Sequence, residues 1–358
     1  MAPNILITGV TGFIGGTLLQ RLLETDLFPR SNIWVAVRSE AHEDRLRALQ
    51  VNIARVSLDD AEDVRKIVLG NKIDIVVHTA GALKFSLVES LLNALGARKA
   101  VTKRPVHLIQ TSGASTFADK CGWTFGPGRE SDDLYTREVE IRDSFLLHET
   151  NIRIIETGEA LGVLVYLVLP PLVCKSNKTQ GNWYTLLKSS LEQGGKGTGT
   201  GNTATFIFSS MIQTALAQKK VYYFPEKSHW PVVHVVDLAN YYILLLKAIL
   251  ANSAPVDRHE FTFALAKALF DRNLVSSPTP AAWPSEEFAS DATGLSTEYC
   301  QIAFNSTTAV ISERGHQLGW KPEWDYAEWL RDFGGMEVDP ILESDVQSKD
   351  TVKALGNL

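Results

Sequence analysis

Short apolar segments and longer helical patterns alternate through the first half of the chain. The apolar, β-branched segments predict six strands, at Asn4–Thr8, Asn32–Val37, Ile53–Val56, Ile73–His78, Val106–Gln110 and Leu161–Leu169. Apolar residues at helical spacing lie between most of these strands, over residues 13–23, 60–69 and 86–101. Strands that alternate with helices at this pitch form parallel sheets with helices on both faces. The pattern therefore predicts an α/β fold, a doubly wound Rossmann sheet within residues 1–173.

The alternation stops after Pro171. Residues 174–204 are polar and rich in Gly, Thr, Ser, Lys and Asn, which predicts an insertion that ends in a glycine-rich loop. Further elements are predicted as a helix over Phe206–Lys219, a strand over Val221–Phe224, and a helix over Leu238–Leu250 capped by Asp237. Residues 205–334 are thus expected to form a small C-terminal substrate lobe with segments returning to the Rossmann domain. Residues 335–358 are expected to be a loosely ordered tail.

Composition and charge argue against several classes of protein. The 358 residues are 45% apolar and 21% charged, which suits a packed core, and the net charge of −6 argues against a general nucleic-acid binder. Three widely spaced cysteines without a CxxC pair favour a reducing compartment and predict no metal site. No secretory signal or membrane-spanning run is evident. We therefore expect a cytoplasmic protein with a small-molecule substrate, no nucleic-acid or membrane partner, and a homodimer as a candidate assembly.

A glycine-rich motif follows the first predicted strand. Thr8-Gly9-Val10-Thr11-Gly12-Phe13-Ile14-Gly15 connects that strand to a helix, which is the context a dinucleotide-binding turn requires. Gly9 would permit the tight turn, Gly12 the approach of a pyrophosphate, and Gly15 close packing of helix on strand. The first turn of the helix would supply N–H groups and a partial positive charge to the anion.

The Gly-x-x-Gly-x-x-Gly spacing resembles the extended short-chain dehydrogenase/reductase family, of the NAD(P)-dependent epimerase/dehydratase type. The resemblance covers about residues 4–250 and continues more weakly to about 330. Further matching segments are His78-Thr79-Ala80-Gly81, Thr111-Ser112-Gly113-Ala114-Ser115, Pro170-Pro171 and Val233 to Ala239. The resemblance implies a bound nicotinamide cofactor contacted by Gly9, Thr11, Gly12, Phe13, Ile14, Gly15, Leu58, Thr79, Ala80, Gly81 and Pro170.

The residues after the second strand predict which cofactor is bound. A carboxylate there favours the ribose hydroxyl of NAD, whereas an Arg favours the 2′-phosphate of NADP. The sequence reads Val37-Arg38-Ser39, with no acid before Glu40, so we predict NADP(H), with NAD as the alternative. Where the family commonly has an Asp-Leu pair that reaches the adenine, this chain has Ser57-Leu58, with Asp59 shifted onward.

The family's catalytic Tyr-x-x-x-Lys pair is missing from its expected place. Between the fifth and sixth strands the only Tyr is Tyr135, and four residues later stands Val139. Two formal matches elsewhere, Tyr184–Lys188 and Tyr223–Lys227, are interpreted as chance. The family's catalytic hydroxyl position is Gly113, which leaves Ser112 and Ser115 as substitutes.

Polar residues between those two strands are the remaining candidates for acid–base chemistry. Without its Lys, Tyr135 would titrate too high to act well near neutral pH. His148 is a possible proton donor, although a position on a helix surface is the favoured interpretation. The leading prediction is an NADP(H)-dependent oxidoreductase that acts on a small organic carbonyl or alcohol. A role in specialised metabolism is one interpretation of this activity. The alternatives are a redox-silent NAD(P)-binding regulator and an isomerase or lyase that uses the same pocket.

Residues 174–193 stand between the Pro-Pro strand end and the glycine-rich loop, where the family has only a few residues. One interpretation is a mobile lid over the substrate. The favoured alternative is a translated intron, since unselected sequence inserted at a surface loop is tolerated. That alternative predicts that the segment contributes nothing to the cofactor pocket.

Overall fold

The computed structural model describes residues 3–174, 206–224, 231–251, 262–305, 310–311, 319 and 334–343. Within the first of these ranges the strands are β1 Asn4–Thr8, β2 Ile33–Val37, β3 Asn52–Arg55, β4 Ile73–His78, β5 His107–Thr111, β6 Gly128–Arg129, β7 Leu164–Val168 and β8 Leu172–Cys174. The helices in that range are α1 Phe13–Leu23, α2 Glu43–Ala48, α3 Ala61–Gly70, α4 Phe85–Thr102, α5 Leu134–Glu140 and α6 Leu146–Leu161.

The later ranges contain shorter strands and further helices. The strands are β9 Tyr222–Tyr223, β10 Val232–His234, β11 Ala281–Ala282 and β12 Val310–Ile311. The helices are α7 Phe206–Gln218, α8 Val235–Ala251, α9 Thr262–Asp271, α10 Glu286–Thr293, α11 Thr297–Asn305 and α12 Asp339–Glu343, with a π-helical turn at Gly334–Val338 before the last. Among the described helices, none is long and apolar enough to cross a membrane.

Six parallel strands form the central sheet in the order β3-β2-β1-β4-β5-β7. One face of the sheet packs against α1 and α8, with Ile5, Leu18 and Tyr242 fully buried between them. The other face packs against α3, α4 and α6, around Leu6 and Leu91. The predicted doubly wound Rossmann sheet is therefore confirmed, and the carboxyl ends of all six strands lie at one edge.

The sixth strand of the sheet is shorter than predicted. The apolar run was expected to be a strand from Leu161, but Leu161 is the last residue of α6. Gly162 ends that helix in the left-handed region, at φ +65°, which glycine adopts without strain. The strand therefore begins only at Leu164, where its N–H donates to Val106 O at 3.0 Å.

Helix α8 also begins earlier than predicted. Asp237 was expected to cap a helix that starts at Leu238, but the helix starts at Val235 and Asp237 is buried in its first turn. His234 takes part in capping instead, since its Nδ1 accepts a hydrogen bond from the Val236 N–H at 3.2 Å. The prediction of Asp237 as the cap is therefore wrong.

The second half of the chain packs partly on the sheet and partly on itself. Arg21 of α1 donates through Nε (3.0 Å) and Nη2 (2.9 Å) to Asn240 Oδ1 of α8, which fixes α8 on the sheet. A separate apolar cluster joins α7, α9 and β8, and it includes Cys174, the first residue of the predicted insertion. The rest of the insertion, the glycine-rich loop, Tyr184–Lys188, Lys227 and the tail beyond residue 343 lie outside the described residues.

Candidate functional site

The turn between β1 and α1 is built on its glycines. Gly9 has φ +72°, and the Gly12 N–H donates to Gly9 O at 2.8 Å, which closes the tight turn. A Cβ on Gly9 would lie 2.5 Å from Thr79 Oγ1, and a Cβ on Gly15 would overlap both Gly9 O and that same hydroxyl. The Thr79 hydroxyl donates to Thr8 O at 2.8 Å and so joins the ends of β1 and β4. Gly9 and Gly15 are therefore required for packing.

Gly12 is less crowded than Gly9 and Gly15. It is the N-cap residue of α1 at an ordinary φ of −93°, and a Cβ there would approach only Gly9 O, at 3.1 Å. No side chain caps the helix and its first turn contains no acidic residue, so the backbone N–H groups that begin α1 carry no competing carboxylate. The cradle thus fits a pyrophosphate, which would lie against Gly12 and be held by the backbone N–H groups of Phe13 and Ile14 beside the Thr11 side chain.

The adenine side of the predicted pocket lies beyond β2 and β3. Arg38 is exposed immediately after β2 and makes no ion pair or hydrogen bond with any described residue. Leu58 is buried, whereas the neighbouring Asp59 carboxylate is bound by Lys84 Nζ at 2.5 Å. A carboxylate engaged in this way has one oxygen fewer to offer an adenine. This agrees with the departure from the family pattern seen in the sequence.

A row of polar side chains crosses the carboxyl end of the sheet. Thr8, His78 and Gln110 are register partners on β1, β4 and β5. Thr8 Oγ1 hydrogen-bonds His78 Nδ1 at 2.7 Å, and burial lowers the pKa of His78 to about 4. His78 Nε2 and Gln110 Oε1 are buried and have no hydrogen-bond partner among the described residues. The row is therefore neutral at physiological pH.

Beyond β5 the polar row continues as a buried chain of three side chains. Ser112 Oγ donates to Asn151 Oδ1 on α6 at 2.7 Å, and Asn151 Nδ2 donates to Glu138 Oε1 on α5 at 2.8 Å. All three residues are buried. Because Ser112 gives its single O–H proton to Asn151, its oxygen presents lone pairs to any further partner.

Glu138 ends this chain in an apolar setting. Burial raises the pKa of Glu138 to about 7, although the hydrogen bond from Asn151 lowers it in part. The charged side chains on the neighbouring elements pair elsewhere, Arg137 with Asp132, and Arg142 with Glu149 and Glu156. Glu138 is thus a carboxyl group that changes its charge near neutral pH, one hydrogen-bonded residue away from Ser112.

The other predicted catalytic residues lie around this chain. Ser115 is half-buried in a short 3-10 turn, Ala114–Phe117, which Ala114 N ties to Pro170 O at 2.9 Å. Tyr135 is 38% exposed and donates weakly to Glu156 Oε1 at 3.5 Å. Partial burial and the Glu156 carboxylate raise the pKa of Tyr135, which is opposite to the effect of the family's lysine.

His148 does not lie on a helix surface, so that interpretation is wrong. Its side chain is fully buried within α6. Nε2 is 2.8 Å from Thr116 O and Nδ1 is 3.1 Å from Ser144 Oγ, and burial lowers the pKa of His148. Both ring nitrogens are therefore engaged: Nε2 holds the turn that contains Ser115, and Nδ1 contacts Ser144 just before α6.

Sequence reasoning missed Asn151 and Glu138. Asn151 had a signal, because it falls in the apolar stripe of α6 with Leu147, Ile154 and Gly158, and a polar residue in such a stripe needs a buried partner. Glu138 had none, since α5 is a short polar helix in which nothing marks its buried position.

Comparison with known proteins identifies a matching family model, a relative and solved structures of the same fold. The model of the NAD dependent epimerase/dehydratase family matches residues 5–136. The Schizosaccharomyces pombe protein C2A9.02 is 24% identical over 330 residues, which cover 89% of this chain and 95% of that protein.

Solved structures show the same fold at low identity. The UDP-Glc/GlcNAc 4-epimerase from Campylobacter jejuni matches with a TM-score of 0.59 and 17% identity, over 96% of this chain and 100% of that one. The Bordetella bronchiseptica enzyme WbmH, solved in complex with NAD+, matches with a TM-score of 0.57 and 12% identity, over 96% and 99%.

Proposed function

We propose that this protein is a member of the NAD dependent epimerase/dehydratase family, whose model matches residues 5–136, and that it binds NADP(H) and oxidises or reduces a small organic alcohol or carbonyl compound. The observation that carries the proposal is the N-terminus of α1 at Gly12, which no side chain caps and no acidic residue occupies, so that its backbone N–H groups can face a pyrophosphate. When bound, the nicotinamide would supply or accept the hydride, and the chain's own residues would bind and orient the substrate.

Selectivity for the phosphorylated cofactor is proposed to rest on Arg38. Its guanidinium is exposed beyond β2 and is not engaged by any described carboxylate. A planar guanidinium suits the 2′-phosphate through two parallel N–H donors, and Ser39 adds a hydroxyl beside it.

Replacing Arg38 by Asp tests this selectivity. We expect Arg38→Asp to weaken NADPH binding by about 1.5–3 kcal/mol, through the loss of charge-assisted hydrogen bonds, and to affect NADH far less. Titration of both nucleotides by isothermal calorimetry measures the two changes. Equal weakening of both would mean that Arg38 is not the phosphate ligand.

Ser112 is proposed as the residue that contacts the reacting oxygen. It lies at the carboxyl end of β5, and its O–H bond to Asn151 leaves lone pairs that accept a hydrogen bond from a substrate hydroxyl. Ser115, three residues later in the Ala114–Phe117 turn, is the second candidate hydroxyl, while Tyr135 and His148 stay predictions. Glu138 gives this region a group that gains or loses a proton near pH 7, in place of the absent Tyr-x-x-x-Lys pair.

The absence of the Tyr-x-x-x-Lys pair from its expected place favours a second candidate function, that of a regulator that binds the cofactor without redox chemistry. Incubating the protein with NADPH and a panel of ketones and aldehydes separates the candidates by nicotinamide absorbance. Oxidation of NADPH supports the proposed oxidoreductase. Tight binding without turnover on any compound supports the regulator, and conversion without net redox change supports an isomerase or lyase.

A further inference from the structure

Four carboxylates surround the ends of β2 and β3, where the adenosine part of the cofactor is proposed to bind. We call them the acidic rim: Glu40, Glu43, Asp59 and Asp60. Each carboxylate is engaged in the folded chain. Asp59 pairs with Lys84, and Asp60 caps α3 by accepting from the Asp63 N–H at 2.9 Å. The two glutamates share Arg55.

Arg55 holds both glutamates from the end of β3. It is the last residue of that strand and the register partner of Val37, which immediately precedes Arg38. Its Nη1 is 2.5 Å from Glu40 Oε1, and its Nε is 2.8 Å from Glu43 Oε1. The hydrogen bonds from Arg47 and Arg55 hold the pKa of Glu43 below its ordinary value.

The two glutamates do not depend equally on Arg55. Glu43 is buried and keeps a second cation, because Arg47 Nη2 lies 2.6 Å from its other oxygen. Glu40 is exposed and pairs with Arg55 alone among the described residues. Loss of Arg55 would therefore release mainly Glu40, which is two residues from Arg38 and is the first acid after β2.

We propose that Arg55 is a second determinant of cofactor choice, because it withholds the Glu40 carboxylate from the ribose and leaves Arg38 unopposed toward a 2′-phosphate. The inference rests on the proposed binding of NADP(H). A free Glu40 would accept hydrogen bonds from a ribose hydroxyl and repel a phosphate, so its engagement favours the phosphorylated nucleotide. Arg55 is a positioning residue here, since it acts through Glu40.

The test is a comparison of dissociation constants for NADPH and NADH in variants of the full chain. Since exposed ion pairs are weak and screened by salt, we expect Arg55→Met to weaken NADPH about fivefold and to tighten NADH about threefold at low ionic strength. Arg55→Lys keeps the charge and should retain most of the wild-type preference. Arg47→Met is the matched control, because it removes an arginine from Glu43 without freeing Glu40. It should leave the dissociation constants for NADPH and NADH unchanged.

The double variant isolates the role of Glu40. In a Glu40→Gln background, Arg55→Met should no longer tighten NADH, because no carboxylate remains to be released. If Arg55→Met leaves the NADPH to NADH ratio unchanged, or shifts it equally with and without Glu40, the inference is overturned while the proposed function stands. If the wild-type protein binds neither nucleotide, the proposed function fails, and the inference fails with it. If Arg55→Met does not fold, Arg55→Lys and Glu40→Gln still test the inference. Arg55→Lys should retain most of the wild-type preference for NADPH, and Glu40→Gln should raise that preference or leave it unchanged. A lower preference for NADPH in Glu40→Gln would overturn the inference.

Discussion

We expect Gly12→Val to abolish measurable NADPH binding, a loss of at least about 100-fold, while the protein stays folded. The valine would project into the space in front of α1 that the pyrophosphate needs. The backbone at Gly12 has an ordinary φ of −93°, and an added Cβ would crowd only Gly9 O, at 3.1 Å, so we expect a shift of a few tenths of an ångström to accommodate the change. Fluorescence titration with NADPH, together with thermal unfolding, measures both outcomes.

Gly15→Val is the contrasting variant. There the first added carbon already overlaps the Gly9 carbonyl and Thr79, so we expect loss of the folded state itself. Unchanged NADPH affinity in a folded Gly12→Val protein would contradict the assignment of the nucleotide site.

We expect Glu138→Gln to stabilise the protein at pH 8 and to leave its stability nearly unchanged at pH 5. Burial raises the pKa of Glu138 to about 7, above the 4.5 of an exposed glutamate. The stability that comes from this shift is fully present below pH 4.5 and is lost as the pH rises through 7, because the folded state then has to hold a buried charge. The shift corresponds to roughly 3 kcal/mol, which is the upper limit of what the neutral glutamine would recover at high pH, because its amide N–H groups also have to be buried.

Denaturant unfolding at both pH values measures this effect on the free energy of unfolding. Glu140→Gln on the same helix is the matched control, because Glu140 is exposed and should show no comparable change with pH. A Glu138→Gln protein whose added stability is the same at pH 5 and pH 8 would show that the Glu138 carboxyl does not titrate near neutrality.

The fold was predictable because its signals are local. A strand such as Ile73–His78 is a short segment rich in β-branched residues, and its predicted and observed bounds are identical. The errors fall where two local signals compete. Apolar residues of α6 run directly into those of β7, and only the left-handed Gly162 separates them. At α8, a buried histidine side chain takes part in capping, which residue type alone does not indicate.

In the candidate site, too, the residues with a local sequence signal were predictable and those joined by distant contacts were not. Gly9, Gly12 and Gly15 lie within seven residues of each other, so spacing and context sufficed to identify the cradle. The chain from Ser112 to Glu138 joins three separate elements, with Asn151 39 residues beyond Ser112. No local pattern encodes such a contact. Its existence depends on how α5 and α6 pack beside β5.

Helix α8 has a consequence for the order in which the chain folds during synthesis. It covers the same face of the sheet as α1, and the hydroxyl of its Tyr242 lies 2.6 Å from Thr111 Oγ1 on β5. When the ribosome has made only the first 230 residues, α8 does not yet exist, and that apolar face of the sheet is covered by α1 alone. The nucleotide-binding half therefore cannot complete its core until residue 251 has emerged, and a nascent chain stalled before that point would need a chaperone to shield the uncovered strands.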